Sequence, residues 1–122
     1  MIAKKSIKKL KNTVLIDLLF STGKTVSSGV LVVHYLRDLK DINDLFLGVG
    51  VSKKYMFLAV NRNLIKRQLR AAIRINKVYI KENISDGLYM VLFKSKKKLS
   101  SSEVSDYLLK AFEKISSIPL NT

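Results

Sequence analysis

LFLGVGVSKKYMFLAVNRNLIKRQLRAAIR, residues 45–74, changes its apolar period from two to about 3.6 near its middle. In the first part Leu47, Val49 and Val51 alternate with Gly48 and Gly50, which predicts a strand over 45–52 with two bare positions on one face. Bare positions let a backbone, a helix or a ligand approach closely. Ser52-Lys53-Lys54 ends the strand. From about Leu58 the apolar residues Ile65, Leu69, Ala72 and Ile73 fall on one stripe, which predicts a long helix docked on a sheet.

The same helix carries Arg62, Lys66, Arg70 and Arg74 at four-residue intervals, with Arg67 beside the row. Like charges at this spacing repel by a few tenths of a kcal/mol per pair in an isolated helix, so a polyanion is the natural compensation. Arginine suits nucleic-acid phosphates because its planar fork grips two oxygens at once. Mixed charge on a helix usually marks a solvated face, but residues 59–76 contain no acid.

Working outward, residues 29–37, GVLVVHYLR, read as a largely buried strand, with Thr25 and Val26 beginning it or forming a separate short strand. LYMVLF, 88–93, after Asp86-Gly87, reads as another strand. Following a helical crossover, it can pair parallel with an earlier strand. Ser100 and Glu103 have capping-box spacing, and Val104, Leu108, Ala111, Phe112 and Ile115 form the inner face of a last helix that Pro119 terminates.

Near the start, Asn12 or Thr13 can cap a short helix, and Gly23 suits a left-handed residue after its end. Val14, Leu15, Leu18 and Leu19 make one packing face of it. Ile16 and Phe20 form a separate edge, facing either a groove or the core. The order is α-β-β-(β)-α-β-α, an α+β two-layer sandwich in a single domain spanning residues 1–122. Lysines at 4, 5, 8, 9 and 11 predict a flexible basic arm over residues 1–11.

Twenty-three Lys and Arg against nine Asp and Glu give a formal charge of +14, which points to RNA, DNA or an acidic membrane as partner. The cationic helix has only Ile, Leu and Ala on its apolar side and no aromatic anchor, so a membrane is the weakest of the three. The chain has no cysteine, which excludes disulfides, thiolate metal sites and cysteine nucleophiles, and fits a reducing compartment such as the cytoplasm. His34 is the only histidine, with no carboxylate pair nearby in sequence, and is a poor candidate for metal ligation or general base catalysis. The acids show no assembled motif for a two-metal site.

Residues 48–74 resemble the signature region of the bacterial ribonuclease P protein subunit, in which a strand ending SVSKK leads to a helix of the form AVxRNRIKRxxRE. Ala59, Val60, Arg62, Asn63, Ile65, Lys66, Arg67 and Arg70 match it. Leu64 replaces the second arginine of the Arg-Asn-Arg core, Ala71 the usual acid, and Asn61 stands at a position often basic. The likeness extends over about nine-tenths of the chain and implies a ribosomal protein S5 domain 2-like fold.

It further implies that Lys53, Lys54, Arg62, Asn63, Lys66, Arg67, Arg70 and Arg74 bind a large catalytic RNA. Ile16, Phe20 and His34 would line a cleft for the 5′ leader of precursor tRNA, with His34 where a tyrosine is common. Single-stranded bases stack on rings without demanding a sequence, which is why aromatics serve such a cleft. Implied too are endonucleolytic 5′ maturation of tRNA, Mg2+ held mainly by the RNA with no catalytic residue in the protein, and no obligatory protein partner. The rival reading is a ribosomal or double-stranded-RNA-binding module without leader recognition.

Overall fold

The computed structural model describes residues 6–37 and 39–119. Its elements are β1 (Ile7–Lys9), α1 (Thr13–Thr22), β2 (Lys24–Ser28), β3 (Leu31–Arg37), β4 (Leu45–Val51), α2 (Ala59–Ile75), α3 (Lys77–Asn83), β5 (Gly87–Phe93) and α4 (Ser101–Ser116). The strands form one mixed sheet in the order β1-β4-β5-β3-β2, with β1, β4 and β5 parallel and β3 antiparallel to both β5 and β2. The parallel pairing expected of the last strand is therefore present, with β4 as its partner.

β5 is central and buried on both faces, which explains why LYMVLF is an unbroken apolar run instead of an alternation. Tyr89, Val91 and Phe93 join Leu31, Val33, Tyr35, Leu45 and Leu47 on one face, under α2, α3 and α4. Leu88 and Met90 face the other way, into a smaller cluster with Leu10 and Leu19 that α1 covers. Arg37 at the end of β3 donates from its guanidinium to the carbonyls of Ile115, Ile118 and Pro119, tying the last turn of α4 to the sheet.

The capping box of α4 is complete. The Glu103 amide donates to Ser100 Oγ at 3.2 Å, and the Ser100 amide donates to Glu103 Oε1 at 3.3 Å. All five predicted inner-face residues of α4 are buried. Ser100→Ala is expected to lower unfolding free energy by about 1 kcal/mol, read as a lower denaturation midpoint at unchanged slope.

Three local expectations are corrected. The basic arm does not run to residue 11: Ile7–Lys9 pairs with Leu45–Leu47 as an edge strand, Lys8 Nζ meets Asp44 Oδ2 at 2.9 Å, and Leu10 is buried. Positions 1–5 lie outside the described residues. Gly23 is extended, at φ −75° and ψ 168°, not left-handed. A side chain there would place Cβ 2.4 Å from the Leu19 carbonyl oxygen and 2.9 Å from that of Tyr35, so close approach explains the glycine. On α1 only Leu19 is buried, while Val14 is 72% and Leu18 38% exposed. The helix docks along Leu15, Ile16 and Leu19, which turns the expected Val14 and Leu18 side toward solvent.

α3 was not anticipated, because Asn76 breaks the helical run. Its amide and side-chain Nδ2 both donate to the Ala72 carbonyl, and α3 then buries Ile80. Among the described residues no helix is long and apolar enough to cross a membrane.

Candidate nucleic-acid interface

α2 lies across β4 and beside α4 with Ile65, Leu69 and Ala72 buried, and this fixes where its cations point. Residues four apart on a helix advance about 400°, so a row at this spacing drifts about 40° per step instead of running straight. Arg62 consequently lies close to the buried stripe and Arg74 well away from it. Arg62 is half-buried, and its Nη1 donates to the carbonyls of Met56 at 3.1 Å and Phe57 at 2.6 Å. It therefore braces the segment leading into α2, whose N-cap Leu58 supplies no side-chain bond.

Lys66 is half-buried, whereas Asn63, Arg67, Arg70 and Arg74 are exposed. Lys53 and Lys54 are exposed in the turn after β4, where Ser52 Oγ accepts from the Lys54 amide and Lys54 Nζ sits 5.9 Å from the Tyr55 ring centroid. Among the described residues no carboxylate forms a salt bridge with any of these cations. Unsatisfied cations aligned on an acid-free helix form a surface suited to a phosphate backbone.

Leu64, at the place of the motif's second arginine, is 44% exposed, and Val60 one turn before it is 71% exposed. Phe57 at 83% and Leu58 at 56% extend this apolar strip to the start of the helix. The strip was missed in the sequence, although the four-residue spacing of Val60 and Leu64 is its signal.

On the opposite face of the sheet, α1 brings Phe20 against His34 of β3. Their ring centroids are 4.7 Å apart at 66°, an edge-to-face contact. Phe20 remains 44% exposed, while Ile16 is half-buried in the smaller core. The structure therefore brings all three expected cleft residues to one region, with Ile16 committed largely to packing. Burial, and secondarily the ammonium of Lys94, pull the His34 imidazole below its ordinary pKa, which favours the neutral ring. Lys94 was legible only as part of the cationic run 94–98. Its place one residue beyond β5 is what carries it to the His34 side of the sheet.

Gly48 and Gly50 also face this side. A Cβ at Gly48 would lie 2.8 Å from Met90 Cε, and one at Gly50 2.9 Å from Leu92 Cδ2. The bare positions are filled by side chains of neighbouring β5.

Residues 4–116 match the protein family described as Ribonuclease P. The ribonuclease P protein component of Xylella fastidiosa is 34% identical over 102 residues, 83% of this chain and 70% of that protein. That of Clostridium kluyveri is 32% identical over 87 residues, 71% of this chain and 75% of its own length. Among solved structures, the Staphylococcus aureus RNase P protein superposes with a TM-score of 0.69 at 25% identity, covering 90% of this chain and 95% of that one. The RNase P protein of Thermotoga maritima gives 0.72 at 23% identity, covering 88% and 96%, and shares the fold.

Proposed function

The chain belongs to the bacterial ribonuclease P protein family, and from that premise we propose that it docks the RNA subunit on α2 while its α1 cleft holds the 5′ leader of precursor tRNA. As a ribonuclease P protein component it is part of a tRNA-processing endoribonuclease and associates with the ribonuclease P RNA. The observation that carries the leader reading is the Phe20–His34 pair, two rings in contact with Phe20 still half open to solvent. A neutral imidazole and a phenyl ring offer π-faces to any base, and Lys94 supplies positive charge beside them.

In this reading Mg2+ belongs to the RNA subunit. Among the described residues no three His, Asp or Glu side chains come together in a way that could ligate a metal ion. Held by the RNA, such ions would supply activation of the water and stabilisation of the leaving oxygen. The protein adds substrate affinity and screens phosphate repulsion, so that those metals bind at lower concentration.

The test is reconstitution with a bacterial ribonuclease P RNA at low magnesium, scored by correct 5′ maturation of precursor tRNA. Phe20→Ala removes one stacking surface worth about 1–3 kcal/mol, so affinity for leader-bearing substrate is expected to fall about tenfold while that for mature tRNA is unchanged. Equal losses for both substrates would instead favour a general RNA-binding module with no leader cleft.

A further inference from the structure

The helical layer stops short of the sheet edge. α2 covers β4, but a cavity of about 630 Å3 remains between β1, β4 and the C-terminal half of α2. This volume lies within the range of pockets that hold a small ligand. Its floor is apolar, formed by Ile7 of β1, Leu47 and Val49 of β4 and Ile73 of α2, with Ile7, Val49 and Ile73 only partly buried. Its rim is cationic: Lys9, Lys11, Arg70, Arg74 and Lys77 are all exposed and free of salt bridges among the described residues. Lys8 also borders it, but that ammonium is paired with Asp44.

We propose that this recess takes one unpaired nucleotide of a single-stranded RNA, base on the apolar floor and phosphates on the rim. The arrangement fits both halves of a nucleotide. A simple anion would use the rim and leave the floor bare, and a duplex keeps its base faces stacked and could not enter. Arg70 and Arg74 belong both to the rim and to the outward row of α2, so a strand following that row reaches the recess without leaving positive surface. Through these two residues the inference rests in part on the RNA-binding reading of α2. It adds a base-binding element that the cationic row lacks, on the face of the sheet opposite the Phe20 cleft.

The test is methyl NMR of the full chain labelled at Ile, Leu and Val. Adenosine 5′-monophosphate, inorganic phosphate and a short oligoadenylate serve as probes. The nucleotide is expected to shift the Ile7, Leu47, Val49 and Ile73 methyls saturably. The oligoadenylate should bind at least tenfold tighter at the same methyls, and phosphate at least tenfold more weakly than the nucleotide. Lys9→Glu with Lys77→Glu should weaken the nucleotide about tenfold or more. Lys96→Glu with Lys97→Glu, an equal change of charge in the loop after β5, should leave it within about twofold.

Phosphate binding as tightly as the nucleotide would overturn the base half of the proposal. An oligoadenylate no tighter than the monophosphate would overturn the strand. Shifts confined to other methyls, or equal losses in the two double variants, would overturn the site itself. The titration needs no RNA subunit, so it can fail while reconstituted cleavage succeeds, and the reverse.

Discussion

Reversing Arg67, Arg70 and Arg74 to glutamate together is expected to abolish measurable association with the ribonuclease P RNA, a loss of at least about a thousandfold. All three are exposed and without salt bridges among the described residues, so each is free to face a phosphate. A hydrogen bond to a charged group contributes about 1.5–3 kcal/mol, and three of them account for that factor before the introduced repulsion is counted. The reversals remove six units from a formal charge of +14, which leaves the chain basic and soluble.

Folding should be little affected, because these side chains make no hydrogen bond or salt bridge among the described residues and four-residue repulsion along α2 is relieved. Salt dependence makes the prediction sharper. If about five phosphates are neutralised on α2, log affinity falls against log salt with a slope of very roughly −4, and replacing each arginine singly with alanine should flatten that slope by about 0.7–0.9. A triple variant with the parent slope would remove α2 from the interface. Arg62 is a poorer probe, since Arg62→Ala also frees the Met56 and Phe57 carbonyls and loosens the entry to the helix.

That contrast shows which features a sequence displays. The stripe of α2 and the inner face of α4 were readable because local periodicity and a three-residue capping box encode them. The role of Arg62 was not, since regular four-residue spacing conceals the drift that carries the first arginine toward the core. β1 was hidden for another reason. Ile7 is its one apolar residue between lysines, and what makes it a strand is pairing with Leu45–Leu47, some forty positions away. For α3 the signal was Ile80 and, just past its end, Ile84, four apart and both buried, masked by the break at Asn76. In the cleft, Phe20 and His34 were singled out by resemblance to a family. Their ring contact depends on how α1 crosses β3, which the packing of Leu19, with Leu15 and Ile16 beside it, determines.

Leu19→Ala should therefore separate the two surfaces. Leu19 is the only buried residue of α1, fully enclosed among Leu10, Leu88 and Met90. Truncation removes about 3–4 kcal/mol in transfer and cavity terms, a large share of the roughly 5–15 kcal/mol that holds a domain folded. For a chain of this size the melting temperature should drop by about 10–15 °C. A ten-residue helix does not persist in water without its docking face, so α1 loosens and Phe20 leaves His34.

α2 is held on the other side of the sheet by Ile65, Leu69 and Ala72, which the substitution does not touch. Below its lowered melting point, the variant should bind the RNA subunit with the parent salt slope yet bind leader-bearing and leaderless tRNA equally. Leu19→Met, which nearly conserves volume, should restore most of the stability and the leader preference together. Phe20→Ala should lose the preference with little change in melting, because Phe20 is substantially exposed. If Leu19→Ala melted early but still preferred the leader, the cleft would not depend on α1, and the leader would have to lie against the sheet alone.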